Sequence, residues 1–395
     1  MKPQSSLDSH KETPAMPRER HFFHIGAPEP GQIVLDKRGI DRIVRLLGSV
    51  LPQRNILPVL CHILMETDPA GTLHVTATDL EQTLTVHIHD AAIPKVPAMH
   101  FLFPFSEFKK LSKAVRIVIK PANETTLSVL FSTRGGDARL AVPTLLVSEF
   151  PHTIKQADLH KCDSGAFLRA LRRAATIVST DETRIIINYV YVDSDRGKIV
   201  ATDGRRLIVL PSMPLLLPVS VMLPPTKALF RTLPEMERGR IGLHRDKGTD
   251  KQTFSMQTRE YTYQCTCYEG TYPAYSELIP DGSSHLSHIT MGAKSVSFIS
   301  SLLPFLDPLN NNRMGLVVKD GLTTVRYTDN IGEVQHVPLS DSGIEGPEID
   351  VSLNGLFFVE LLKLGFTTIH IADNFSPILF DDGVGGIALL MPLGA

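Results

Sequence analysis

Apolar residues recur at helical spacing in three places along the chain. Ile40, Ile43, Val44, Leu47 and Leu51 share one side of "DKRGIDRIVRLLGSVL", and Phe167, Leu171, Ala174, Ala175 and Val178 share one side of "SGAFLRALRRAATIV". Val296, Ile299, Leu303 and Leu306 do the same in "GAKSVSFISSLLPFL". Each stripe predicts an amphipathic helix, beginning near residues 37, 164 and 292. A second set is predicted in "PFSEFKKLSKAV" from 104, "PPTKALFRTLPEM" from 224 and "VSLNGLFFVELLKLG" from 351. Between the helices stand β-branched, alternating runs such as "TLHVTATDL", "TLSVLFST", "RIIINYVYVDS" and "TTIHIAD", which predict half-buried strands.

Three predicted hairpins contain a Thr-Asp pair: Thr78–Asp79, Thr202–Asp203 and Thr328–Asp329. Their aspartates are 124 and then 126 residues apart. The helices keep the same period, and so do the segment ends "EFPHT", "TYPAY" and "LMPLGA". One shared period in turns, helices and ends predicts three repeats, each a strand–helix–strands–helix–strands unit of α+β class. The expected divisions are 32–153, 154–284 and 285–395, preceded by a mobile tail over 1–31 that lacks periodicity.

Composition narrows the class. At 395 residues and 43% hydrophobic, the chain is too long for one ordinary core and apolar enough for several. It has no apolar run of about eighteen residues to span a membrane, and its start has no apolar stretch of the kind a secretory leader carries. Cys61, Cys162, Cys265 and Cys267 are too few for a disulfide framework, so a reducing cytoplasm is expected.

The net charge of −2 conceals an uneven split. Residues 32–151 carry +2, residues 152–284 carry +3, and residues 285–395 carry −7. Basic residues also gather on predicted helix faces: Arg42 and Arg45 beside Arg38, Arg169, Arg172 and Arg173, Lys109 and Lys113, then Lys227 and Arg231. Four such faces at equivalent repeat positions suit a duplex DNA backbone held without sequence preference. The ordinary alternative for any one helix is a solvated basic face.

Sites for chemistry do not assemble. Cys265-x-Cys267 has no second pair at zinc spacing, and His87-x-His89 reads as half-buried strand histidines. "DDGVGG" precedes an apolar strand where a phosphate cradle would open a helix. No catalytic residue, metal ligand or cofactor is predicted, so the chain is not expected to be an enzyme.

The pieces "RNILPVL", "TATDLE", "VATDGRRL", "EGTYPAYSELIP" and "LLMPL", in this order and spacing, resemble the bacterial sliding clamps, the beta subunits of DNA polymerase III. The resemblance runs from about residue 32 to 395. It implies three tandem sliding-clamp domains and a head-to-tail homodimer that closes a ring, with helices inside and sheets outside. The acidic third repeat of one copy would meet the slightly basic first repeat of the other.

The resemblance also implies a processivity factor that encircles duplex DNA and tethers its partners. Those partners would be the DNA polymerase III catalytic subunit, the clamp loader and repair polymerases, docked through short peptides. The peptide groove carried over by position takes Ile187, Thr202, Gly204, Arg205, Arg206 and Leu207 from the second repeat. Pro273 and Leu278 join from the "TYPAY" region, and Leu389, Leu390, Met391, Pro392 and Leu393 from the C-terminal run. In this reading Arg206 holds a polar group of the peptide at the rim, and Arg54 contacts DNA. Glu277 and Gly394 stand where the family often has basic residues, and Arg205 replaces its usual histidine. A clamp-like scaffold that does not encircle DNA is the alternative.

Overall fold

A computed structural model describes residues 29–51, 57–89, 98–151, 158–212, 217–226, 230, 232–246, 248, 251–280, 287–329 and 331–394. Five α-helices are described: α1 Lys37–Leu47, α2 Phe105–Lys110, α3 Ser164–Ala175, α4 Ala293–Leu302 and α5 Gly355–Lys363. Short polar side chains start three of them. Asp36 accepts from the Gly39 amide, Asp163 from Ala166, and Asn354 from Phe357, which satisfies N–H groups the first turn leaves orphaned. In α4 the cap comes from a distance, because Asp341 accepts from the amides of Lys294 and Ser295. Residues 227–229 and 231 of the predicted 224 helix lie outside the described residues; Phe230 within it is buried.

The strands form four antiparallel sheets among the described residues. A four-stranded sheet runs Ile33–Asp36, Arg116–Asn123, Thr126–Thr133, Gly136–Pro143. An eight-stranded sheet runs His100–Pro104, His62–Thr67, Leu73–Thr78, Gln82–Ile88, then Tyr261–Thr266, Gln252–Thr258, Gly239–Arg245 and Asp158–Cys162. A nine-stranded sheet runs Val221–Leu223, Val190–Asp193, Lys198–Thr202, Arg206–Pro211, then Ile387–Leu390, Ile378–Asp381, Thr368–Ile371, Ser287–Met291 and Ser342–Glu345. The last, of four strands, runs Val334–Pro338, Leu322–Thr328, Arg313–Lys319, Ile349–Asn354. Each wide sheet therefore joins strands distant in sequence at one seam, Thr83 to Gln264 in the first and Leu207 to Leu389 in the second. In "RIIINYVYVDS" the strand covers only Val190–Asp193, because Ile185–Asn188 coil into a 3₁₀ turn.

The recurrent Thr-Asp pair has a physical reason. In each hairpin one aspartate oxygen accepts from two amides across the turn: Glu81 and Gln82 on Asp79, Arg205 and Arg206 on Asp203, Ile331 and Glu333 on Asp329. The other oxygen takes a side chain from the outgoing strand, from Gln82, Arg206 or Gln335 respectively. In the first two hairpins the threonine hydroxyl donates across the turn, to Gln82 O and Arg206 O. Such an Asx turn bends the chain locally, and each of these three turns contains a residue with positive φ. Gly204 supplies it at φ +84° and Gly332 at +86°, whereas the first hairpin uses Leu80 at +79°, its side chain 54% exposed.

The main core lies between these sheets and the helices, with Ile40, Leu47, Leu168, Leu171, Ile299 and Phe358 inside it. No helix among the described residues is long and apolar enough to cross a membrane.

The left-handed conformation disfavours a leucine by about 1–2 kcal/mol, partly offset by the greater unfolded freedom of glycine. Leu80→Gly is expected to stabilise the protein by about 0.5–1 kcal/mol. Urea denaturation of the two proteins would measure it, and an unchanged or lower midpoint would refute a strained turn.

Candidate functional site

The Lys198–Thr202 and Arg206–Pro211 strands carry one wall of the expected groove. Leu207 faces the outer side of the nine-stranded sheet, where it packs in a cluster with Val200, Val209, Met222, Tyr272, Tyr275 and Leu389. Leu390, next along its strand, turns the other way into the main core, as strand alternation requires. Ile187 is buried at the end of the preceding 3₁₀ turn, where its carbonyl accepts from the Ser179 amide. Met391 continues the strand pairing by donating its amide to Arg205 O at 3.0 Å, while its side chain stays 46% exposed. Pro392 and Leu393 are half-buried; the Leu393 amide reaches Ser352 O at 2.8 Å, and Arg313 donates to Gly394 O.

The "TYPAY" segment carries the other expected groove residues and packs on the same outer cluster. Tyr272 stacks on Tyr191 with centroids 4.6 Å apart, and Tyr275 meets Tyr191 edge-on at 6.4 Å. The buried Tyr275 hydroxyl donates to Asp193 at 2.8 Å. These anchors leave Pro273 and Glu277 exposed and Leu278 58% exposed, beside Ile279, which packs on the outer cluster. The two tyrosines, three residues apart, are the groove supports that sequence reasoning missed. Their spacing within the quoted segment was the available signal.

The turn itself is braced from outside. Arg184 donates to Asp203 O and packs its guanidinium against Gly204, where a Cβ would come within 2.3–2.8 Å of it. Thr202 is half-buried and holds the Gly204 amide through its hydroxyl. The two arginines after the turn separate. Arg205 is exposed. Arg206 is 7% exposed: its guanidinium bonds Asp203 at 3.0 Å and Glu360 of α5, and lies 4.3 Å from the Phe357 ring centroid. The partners expected from a bound peptide are thus already supplied by this chain.

The basic helix faces divide in the same way. Arg45 and Lys109 line one cavity of about 810 Å³ between α1 and α2, and they, with Lys113, have no acidic partner among the described residues. Arg42 reaches across the first seam to Glu260, binding its carboxylate at 2.7 Å and its carbonyl at 3.0 Å. Arg173 reaches across the second seam to Asp382 at 2.8 Å, with Phe366 under its guanidinium at 4.5 Å. Arg169 pairs with Glu235 at 2.9 Å, and Arg172 binds the same carboxylate with Phe230 O and Leu233 O. Arg54, Lys227 and Arg231 lie outside the described residues.

The remaining reactive groups are held quiet. Burial pushes the Cys162 thiol up to about 11, with Asp163 adding to it, and pushes Cys267 up to about 12. Burial, then His74, His89 and Arg42, pushes His87 down to about 4. His87 bonds His74 and Thr262, whereas His89 bonds Arg259 O, so the two do not share a ligand.

The assembly of antiparallel sheets bridged at two seams and packed with helices, with an apolar cluster around Leu207, Tyr272 and Leu389, is the sliding-clamp fold. No family model matches the chain. It is 20% identical over 382 residues to the beta sliding clamp of Chlamydia pneumoniae, covering 92% of this chain and 98% of that protein. It is 21% identical over 383 residues to that of Caulobacter vibrioides, covering 92% and 99%. The DNA polymerase sliding clamp of Bacillus subtilis superposes with a TM-score of 0.77 at 18% identity, covering 93% of this chain and all of that one. The DNA polymerase III beta subunit of Borrelia burgdorferi gives 0.76 at 16% identity, covering 93% and 99%. The chain is a divergent homologue of the bacterial beta sliding clamps.

Burial alone would raise the Asp193 carboxyl. The Arg196 amide, the Tyr275 hydroxyl and the Arg196 guanidinium together hold it below the usual carboxylate range. A depressed native value stabilises above the unfolded-state value and ceases to as pH falls through the native one. Tyr275→Phe should therefore cost about 1.5–3 kcal/mol at neutral pH, with a smaller deficit below about pH 4. Urea denaturation near pH 7 and near pH 3 would decide; a deficit independent of pH would refute the coupling.

Proposed function

We propose that this protein is a DNA sliding clamp: two copies joined head to tail close a ring around duplex DNA and tether replication and repair enzymes to it. The observation that carries the reading is the pattern of sheet edges. The strand leaving the first Thr-Asp turn, Gln82–Ile88, pairs with Tyr261–Thr266, and the strand leaving the second, Arg206–Pro211, pairs with Ile387–Leu390. The strand leaving the third, Val334–Pro338, is an edge with no outer neighbour among the described residues. At the other end of the chain, Gly136–Pro143 is also an edge among the described residues, in the place that Tyr261–Thr266 and Ile387–Leu390 hold at the ends of their strand groups.

Joining these two edges between copies would repeat the seam a third time and satisfy both of these edges. The surfaces suit one another. Arg134 and Arg139 are exposed on the first edge, whereas Asp329 and Glu333 lead into the second, where Ile331 and Val334 stand exposed. This supports three domains, 32–153, 154–284 and 285–395, six of them per ring. Helices would face the hole, and Arg45, Lys109 and Lys113 would offer the loose, sequence-indifferent phosphate contact that sliding requires. Enclosure makes retention topological, and the groove raises the effective concentration of tethered polymerase. No catalytic step is assigned to the chain, which would act in the cytoplasm.

Light scattering over a dilution series should give a species near twice 43.6 kDa that, once loaded, stays on closed circular duplex and slides off linear duplex. A monomer at high concentration, or equal loss from both DNAs, would overturn the ring and leave the scaffold alternative.

For the groove, Leu278→Ala should weaken a labelled clamp-binding peptide by about tenfold, as loss of an exposed apolar anchor does. Glu277→Arg should tighten it by up to about fivefold, the scale of an exposed ion pair. Fluorescence anisotropy would read both, and unchanged affinities would remove this groove as the docking site.

A further inference from the structure

On the eight-stranded sheet, the face turned away from the helices carries a basic trough. Along Gly239–Arg245, Ile241 enters the core and its neighbour Arg240 points outward. Arg240 lies opposite Lys161 on the edge strand Asp158–Cys162 and opposite Gln257 on its other side. Arg238 precedes the strand, and Arg259 stands in the turn before Tyr261. With these residues as walls, a concavity of about 590 Å³ opens along the sheet edge, and none of its lining side chains is acidic.

All four cations are exposed, and none makes an ion pair among the described residues. Arg42, Arg169, Arg172 and Arg173 on the helix side differ, since each already faces a carboxylate of this chain. Arg45, Lys109 and Lys113 on the helices also lack an acidic partner among the described residues, so unpaired cations stand on both faces, and on the helix-free face they gather in this trough. There they are spaced for a polyanion: residues two apart on a strand are separated by about 6.6 Å, and cross-strand neighbours by about 5 Å. No aromatic side chain lines the trough, so bases have nothing to stack on.

We propose that this trough binds the phosphate backbone of a single nucleic-acid strand lying against the outside of the protein, separate from duplex held against the helices. At about 590 Å³ the trough accommodates a short stretch of one flexible strand, whereas a stiff duplex would touch it along one side only. The choice of nucleic acid as occupant rests on the clamp reading; the shape and charge of the trough do not. Contact through phosphates alone makes binding indifferent to sequence and steeply dependent on salt.

The test uses the full chain, a fluorescein-labelled oligothymidylate, and the triple variant Lys161→Ala/Arg240→Ala/Arg259→Ala, whose exposed positions leave the core intact. Anisotropy at low salt should show binding weakened by at least about tenfold, with the log–log salt slope shallower by about 2, the effect of three lost phosphate contacts on a single strand. Retention on closed circular duplex should match that of the unsubstituted protein. Unchanged oligonucleotide affinity and slope would overturn the proposal. So would displacement of the probe by polyglutamate as readily as by unlabelled oligonucleotide, because that marks a site for any polyanion. Failure of the unsubstituted protein to stay on circles would count against the ring and not against the trough, which is read from oligonucleotide affinity.

Discussion

Edge strands carry backbone N–H and C=O groups that must find partners or remain in water, and the architecture follows from how those edges are filled. Within the chain two of them are satisfied by strands far away in sequence, Gln82–Ile88 by Tyr261–Thr266 and Arg206–Pro211 by Ile387–Leu390. Each seam is a backbone ladder, indifferent to most side-chain identities. A fold held together this way tolerates extensive divergence, and superposition on clamps at 16–18% identity is its outcome.

Local chemistry was legible in the sequence; long-range pairing was not. The three hairpins could be read because their aspartates bind amides only two to four residues on. The helix starts at Asp36, Asp163 and Asn354 were equally local. The fate of the arginines was invisible. Arg42 finds Glu260, Arg173 finds Asp382 and Arg206 finds Glu360, each in another part of the chain, and no periodicity records such pairs. Basic helix faces therefore promised more free charge than the fold leaves. The cations it does leave in one trough came from strands and turns, where no helical stripe drew attention to them.

The groove shows the same division. Its segments were recognisable, but the direction of each side chain depended on the sheet. Leu389 and Leu390 are neighbours of like chemistry, and alternation sends one to the outer cluster and the other to the core. Tyr272 and Tyr275 hold their segment against Tyr191 and Asp193, a support for the wall that only tertiary structure defines.

Arg206 and Arg173 have a mechanical consequence. They cross the second seam at two separate places: Arg206 clasps Glu360 and Phe357 of α5, and Arg173 clasps Asp382 and Phe366 beyond the adjoining strands. Two clasps and a backbone ladder resist both bending and torsion there, as two rivets stop a plate from pivoting where one would not. The first seam has its ladder, the Arg42 clasp and the side-chain bonds of His87 to Thr262 and His89 to Arg259 O. Both seams are thus braced by side chains as well as by backbone, and flexure under load would concentrate toward the free ends.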